Sequence, residues 1–224
     1  MDETSVTKTQ DMPTGRKFVH VESIEARARR AGKLVAERAA REGLLDVAYG
    51  FAESPFGPLL VATTRRGLVR VAYPDLRSDE VLERLAREIS PRVLESPQAT
   101  EEIRRELEEY FDRKRRTFAV PVDLSRVQGF GAKILRQTAR IPFGSVATYR
   151  DVATRAGSPG AVRAAGNALG ANPVPIVVPC HRVVRTGGGL GGYTGGLERK
   201  VALLELEGAT LPHHGGGSLT PRRR

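Results

Sequence analysis

The hydrophobic pattern begins weakly and then sharpens. Residues 1 to about 20 are polar and irregular around Met12-Pro13-Thr14-Gly15, which predicts disorder. From Glu22 to Glu42 the Ala-, Arg- and Glu-rich stretch predicts a solvated helix, because Ile24, Leu34 and Val35 are too sparse for a core stripe. From Leu45 the period changes to two. Asp46 to Ala52, Leu59 to Thr64 and Leu68 to Tyr73 predict three strands of an antiparallel meander. Ser54-Pro55-Phe56-Gly57-Pro58 and Arg65-Arg66-Gly67 form its turns. Helical spacing follows. Ser78 is the expected cap of a helix carrying Val81, Leu82, Leu85 and Ile89, and Pro91 ends it. Thr100 is the expected cap of a second helix, with Ile103, Leu107, Tyr110 and Phe111 on one face. A basic run from Arg113 to Arg116 leads into a further predicted strand, Thr117 to Leu124, and a boundary near Asp123 to Gln128.

The remainder predicts helices and loops. Phe130 to Ala139 is a helix with Phe130, Ile134, Leu135 and Thr138 in phase. Thr148 caps a short helix, Tyr149 to Ala156. Gly157-Ser158-Pro159-Gly160 breaks it, and a second short helix runs from Ala161 to about Leu169. Two short helices joined by a glycine-containing turn have the outline of a helix-turn-helix. A glycine-rich segment, 187–192, and a closing helix, Leu197 to Leu206, complete the pattern. The stretch after Gly208 reads as a tail ending in Arg222-Arg223-Arg224.

Composition narrows the function classes. The chain has 224 residues, room for one large domain or two small ones. No apolar run approaches the ~20 residues of a membrane span. No apolar signal core opens the chain, so the expected location is cytoplasmic. The formal net charge of +10 attracts polyanions, although a generic arginine-rich bias gives the same number. The single cysteine rules out an intramolecular disulfide and any zinc site built on several thiolates. With His20, His181, His213 and His214 scattered, no metal and no cofactor are expected.

That cysteine, Cys180, lies in Val178-Pro179-Cys180-His181-Arg182-Val183. A lone cysteine is often an inert core residue. Here His181 and Arg182 offer a base and a positive field to an adjacent thiol. Arg163 occupies the first turn of the second short helix among Ala161, Ala164, Ala165, Gly166 and Ala168. A helix so poor in bulk approaches another surface closely, either a core neighbour or a DNA groove. Asn172 before Pro173 pins a turn through its side chain. Gly187 to Gly192 permit positive φ and do not match the dinucleotide fingerprint.

Together these strings resemble the methylated-DNA–protein-cysteine methyltransferases, the O6-alkylguanine-DNA alkyltransferases, whose hallmark reads Pro-Cys-His-Arg-Val. Tyr149, Arg163, Asn172, Cys180, His181, Tyr193 and Glu207 fall at that family's spacing. Gly170-Ala171-Asn172-Pro173-Val174-Pro175 and Gly191-Gly192-Tyr193-Thr194-Gly195-Gly196-Leu197-Glu198 match as well. The likeness spans about Val47 to Gly208 and is most specific over Phe143 to Glu207. Upstream, the strand pattern and Ser54-Pro55-Phe56-Gly57-Pro58-Leu59 agree. The extension before Leu45 has no recognised counterpart. The cysteines with which some relatives bind zinc in the N-terminal domain are missing.

The resemblance implies an α/β (α+β) fold with a ribonuclease-H-like N-terminal domain and its small antiparallel sheet. A mainly helical C-terminal domain then carries the helix-turn-helix and the active-site cysteine. The implied division is an extension over 1–45, the ribonuclease-H-like domain over 46–124, the DNA-binding and catalytic domain over 125–210, and a basic tail over 211–224. The implied function is direct-reversal repair without a cofactor. The partner is double-stranded DNA bound through the minor groove, with O6-alkylguanine, and O4-alkylthymine as well, flipped out of the stack. No membrane and no obligate protein partner are implied, and the protein is expected to act as a monomer.

By the same resemblance, Cys180 is expected to take the alkyl group once and irreversibly, with His181 as base through a water, Glu207 orienting His181 and Asn172 pinning the turns. The resemblance also implies that Tyr149, Arg163, Ala164 and Gly166 face DNA, Arg163 filling the vacated stack. It implies that Tyr149, Cys180, Val183, Tyr193 and Thr194 line the base pocket, with the Cys180 and Val183 carbonyls reading the guanine amino group. Two other classes stay open: a lesion sensor that binds without transfer, and a cysteine hydrolase or redox protein, in which Tyr149 and Arg163 would have no role.

Overall fold

Three strands, β1 (Val47–Ala52), β2 (Leu59–Thr64) and β3 (Gly67–Ala72), form the expected antiparallel meander. The computed structural model describes residues 45–210 without a break, together with scattered positions between 23 and 39. The described positions from Arg27 to Ala39 are helical, and Leu34 and Val35 are 61% and 59% exposed, as a solvated helix requires. The disorder expected over residues 1 to 20 and the basic tail after 210 lie outside the described residues.

A fourth strand, β4 (Val93–Glu95), pairs parallel to β1, giving the order β3-β2-β1-β4. β2 runs between β1 and β3 and is buried along nearly its whole length. Its period of two sends alternate residues to opposite faces. Leu60 and Ala62 join Val81 and Leu85 of α1 (Ser78–Glu88) in a small core. Leu59 and Val61 face the other way, into the main core. There they meet Ile103, Leu107 and Tyr110 of α2 (Glu101–Phe111) and the apolar residues of the C-terminal domain, Cys180 among them. One continuous core therefore joins sheet and site.

Local details correct three sequence expectations. Ser78 is the first helical residue and not the cap; Arg77 holds the cap position without a side-chain cap bond. Thr100 does hold the cap position of α2, but its hydroxyl donates back to the Ser96 carbonyl (3.0 Å), so no side-chain cap forms. The strand expected over Thr117 to Leu124 shrinks to a single parallel bridge between Leu68 and Val122. Pro121 has no N–H to give a ladder. The Ala119 and Val120 amides donate instead to the buried Glu106 carboxylate, at 2.9 and 3.2 Å. The unpredicted β4 is three residues long, too short to carry a period.

The C-terminal domain follows its pattern closely. α3 is Gly129–Thr138, α4 is Tyr149–Arg155 and α5 is Val162–Gly170. Thr148 and Asp151 form a capping box at the start of α4: the Thr148 hydroxyl accepts from the Asp151 amide (3.1 Å), and the Asp151 carboxylate accepts from the Thr148 amide (2.8 Å). Gly157, at φ 82°, ends α4. Ser158 N bonds to Ala153 O and Gly157 N to Thr154 O, the two bonds of a left-handed helix terminus. α5 then packs Ala165 and Leu169 inward. The expected helix-turn-helix is present. Beyond it, β5 (Ala147–Thr148) and β6 (Val183–Val184) pair in parallel, and α6 (Leu197–Leu206) closes the fold. Among the described residues no helix is long and apolar enough to cross a membrane.

Thr148→Ala removes the capping box and is expected to cost about 1 kcal/mol. Ser78→Ala, at a position with no cap bond, is expected to cost clearly less. Urea unfolding of the two variants compares them.

Candidate active site

The geometry starts from the β5–β6 pair. It fixes the start of α4, and so Tyr149, beside the residues that follow Cys180. Between Leu169 and Cys180 the chain is held by buried turns. Asn172 Nδ2 donates to the Val178 carbonyl (2.8 Å) and to Cys180 Sγ (3.2 Å), while its Oδ1 accepts from the Val174 amide (3.1 Å). Ile176 sits fully buried at φ 75°, a strained conformation for a β-branched residue. Cys180, His181 and Arg182 then form one 3-10 turn, all three buried.

Behind that turn lies Glu207, just past the end of α6. Its carboxylate accepts from Tyr110 Oη (2.6 Å), His181 Nε2 (2.9 Å), the Gly144 amide (3.2 Å) and two nitrogens of Arg182 (2.9 Å each). Facing a carboxylate, His181 Nε2 carries the proton, and Nδ1 keeps its lone pair. Nδ1 is buried and has no hydrogen-bond partner among the described residues. In front of Cys180 opens a cleft of about 710 Å³. Arg163, Gly166 and Asn167 of α5, Tyr149 of α4, and Gly192, Tyr193 and Thr194 of the glycine-rich segment line it.

Comparison with known proteins now bears on this arrangement. Residues 47–124 match the ribonuclease-like domain of 6-O-methylguanine DNA methyltransferase, and residues 129–209 match the DNA-binding domain of the same family. The chain is 35% identical over 159 residues to a methylated-DNA–protein-cysteine methyltransferase of Methanosarcina barkeri, covering 71% of this chain and 96% of that one. The chain belongs to the methylated-DNA–protein-cysteine methyltransferase family. It is also 39% identical over 148 residues to the inducible enzyme of Bacillus subtilis, covering 66% of this chain and 82% of that one. Mycobacterium tuberculosis OGT, solved in complex with DNA, superposes with a TM-score of 0.63 at 35% identity, covering 72% of this chain and 92% of that one. The family establishes alkyl transfer to cysteine as the reaction class and DNA repair as its purpose. It also accounts for the mixed fold, with a small N-terminal sheet and a helical C-terminal domain.

In this member of the methyltransferase family the expected site residues divide into three groups. Cys180, Tyr149, Arg163, Gly166, Tyr193 and Thr194 meet at the cleft. Asn172, His181 and Glu207 lie behind it as buried supports. Val183 is fully buried and does not line the cleft. Its carbonyl accepts from Lys200 Nζ (2.5 Å), and the Cys180 carbonyl accepts from the Val183 amide, so each already has one internal partner. Ala164 is exposed on α5 but outside the cleft lining. Tyr149 Oη donates to the Gly192 carbonyl (3.3 Å). Gly191, at φ 69°, leaves room for that ring: a Cβ there would come within 2.7 Å of it.

The positive field at the thiol differs from the sequence expectation. Arg182 points at Glu207 and donates to the Ile141 carbonyl (2.6 Å). The cation acting on Cys180 is Lys200, fully buried, with Nζ bonded to the Val183, Leu190 and Gly192 carbonyls. Burial pulls Lys200 down to about 8. Burial also pushes the Cys180 thiol up, against the Asn172 bond and Lys200, and pushes the His181 imidazole down, against Glu207. At rest the pair is therefore a neutral thiol and a neutral imidazole. Sequence reasoning missed Tyr110, Lys200 and Tyr73. Each is an ordinary apolar-face or surface-type residue until the fold turns it toward the site.

Burial alone would raise the Glu207 carboxyl, but the bonds from His181 and Arg182 outweigh it and hold it at about 2, against an ordinary 4.5. A carboxyl depressed in the folded state stabilises the fold above its unfolded value. That contribution is lost as pH falls from about 4.5 towards 2, and amounts to about 3 kcal/mol. Glu207→Gln should be less stable than the parent by about that amount or more at neutral pH, since it also strands buried Arg182. Denaturant melts should show the gap closing near pH 2. A gap independent of pH contradicts the assignment.

Proposed function

We propose that Cys180 is the alkyl acceptor for O6-alkylguanine, and for O4-alkylthymine as well, in duplex DNA approached from the minor groove. The observation that carries this reading is that Cys180 lines one cleft together with α5, Tyr149 and Tyr193. α5 presents Arg163, Ala164 and Asn167 outward, and its lack of bulk supports entry into a narrow groove. The damaged base rotates out of the stack into the cleft. Arg163 fills the gap, and Tyr149 crowds the backbone on the same side. A relative of known structure, Mycobacterium tuberculosis OGT, is solved in complex with DNA, which supports DNA as the partner.

The step balances simply. The Cys180 thiol proton passes through a water to the His181 imidazole, whose Nδ1 has no partner among the described residues, and Glu207 holds the resulting cation. Sulfur attacks the alkyl carbon, an S–C bond forms, and the C–O6 bond breaks. The guanine leaves with that electron pair and takes up a proton. The thioether has no leaving group, so each molecule turns over once. No cofactor enters the scheme. Residues 46–124 frame the site, and residues 125–210 bind DNA and perform the transfer.

Incubation with methylated duplex, followed by mass spectrometry, should add one CH₂ to the peptide bearing Cys180, and Cys180→Ala should accept nothing. An unmodified peptide overturns the reading. It would point instead to a sensor if lesion duplex were still bound tightly. Arg163→Ala should slow transfer from duplex DNA about 10-fold or more, since base extrusion costs a few kcal/mol, while transfer from a free alkylated base changes little. Equal losses on both substrates contradict the role given to Arg163.

A further inference from the structure

Tyr193 is the cleft wall that faces Cys180 from the glycine-rich segment, and its backbone is poorly suited to hold it. Gly191, Gly192, Gly195 and Gly196 flank it, two of them at positive φ. Its ring is held from outside that segment. The Tyr193 hydroxyl is hydrogen-bonded to the Tyr73 hydroxyl at 2.7 Å, and the two rings meet edge to face at 6.3 Å. Tyr73 follows β3, on the sheet of the other domain.

Tyr73 is itself well fixed. It is 5% exposed and meets Phe56 edge to face at 6.0 Å. The Arg199 guanidinium lies 4.5 Å from its ring centroid and is anchored by Asp75 (2.9 Å) and by the Gly195 carbonyl (3.0 Å). Gly195 completes the contact, because a Cβ there would lie 2.5 Å from the Tyr73 ring and 2.7 Å from the Tyr193 ring. Tyr73 does not line the cleft, so it touches no substrate and acts through Tyr193.

We propose that Tyr73 is a positioning residue that sets the range of alkyl groups accepted, by fixing Tyr193 and with it the space beyond Cys180 Sγ. The inference rests on the alkyl-acceptor reading above. During transfer the reacting carbon sits at sulfur, and whatever it carries must fit against Tyr193. A methyl group leaves that wall untouched, whereas a benzyl group presses on it. The sheet domain thereby controls substrate size without contacting substrate. Burial keeps both phenols well above their ordinary range, so the bond stays a neutral pair through neutral pH.

The test compares the free bases O6-benzylguanine and O6-methylguanine, which removes DNA binding from the comparison, by the rate at which each modifies the Cys180 peptide of the full chain. Tyr73→Phe keeps the ring and deletes the hydroxyl bond. It should raise the benzyl-to-methyl rate ratio about fivefold, the scale of one neutral hydrogen bond. Tyr193→Phe deletes the same bond from the other side and should move the ratio alike. The double variant should add nothing further. A ratio that stays the same or falls in Tyr73→Phe, equal losses on both bases, or additive effects overturn the proposal. Wild-type protein left unmodified by either base overturns this proposal, and overturns the acceptor reading with it if methylated duplex also leaves Cys180 unmodified, whereas intact transfer with an unchanged ratio overturns this proposal alone.

Discussion

Glu207 places a carboxylate in the protein interior, where an unpaired charge would cost several kcal/mol. The site is built around satisfying it. Tyr110 comes from the sheet domain, the Gly144 amide from the turn before β5, and His181 and Arg182 from the cysteine turn. Three separate parts of the chain thus converge on two oxygens. Because each bond orients its donor, the same network that neutralises the charge also fixes the tautomer of His181 and turns its free lone pair away from Glu207. Charge satisfaction and catalytic geometry are here one constraint.

That constraint explains why the two domains share a core. The sheet is more than a neighbour of the DNA-binding half. The Val71 amide donates to the Pro173 carbonyl (2.9 Å), Tyr110 reaches Glu207, and Tyr73 reaches Tyr193. A chain of edge-to-face aromatic contacts runs from Tyr193 through Tyr73, Phe56 and Phe111 to Tyr110. The cysteine turn is braced on one side by Asn172 and on the other by Glu207, itself bonded to Tyr110, 97 positions away in sequence.

The electrostatics follow from the same burial. A reactive thiolate waiting in the open would be oxidised or alkylated at random. Burial keeps Cys180 as a thiol and His181 as a neutral imidazole, and Lys200 is close enough to favour the thiolate once a proton leaves. Lys200 is held by the Val183 carbonyl of β6 and by the Leu190 and Gly192 carbonyls of the loop that carries the cleft wall, so the cation that tunes the thiol also ties that loop to β6.

Local order was legible in the sequence wherever period and turn chemistry agreed. The meander, both amphipathic helices of the first domain, the Thr148 cap and the glycine-ended helix-turn-helix were readable because adjacent residues decide them. The Pro179-Cys180-His181-Arg182-Val183 string was readable as chemistry for the same reason. Three-residue β4 left no period to read. The strand expected over Thr117 to Leu124 was lost to Glu106, whose carboxylate competes for the amides from another element. The partner of Arg182 was open until Glu207 closed on it, and nothing near Tyr73 in the chain announces Tyr193. The sequence alone determined which local elements form and set the candidate cysteine and histidine side by side in one string. Tertiary structure decided which cation lies near the thiol, what else bonds to Glu207 and which ring backs Tyr193, because each depends on burial and on partners that only packing brings together.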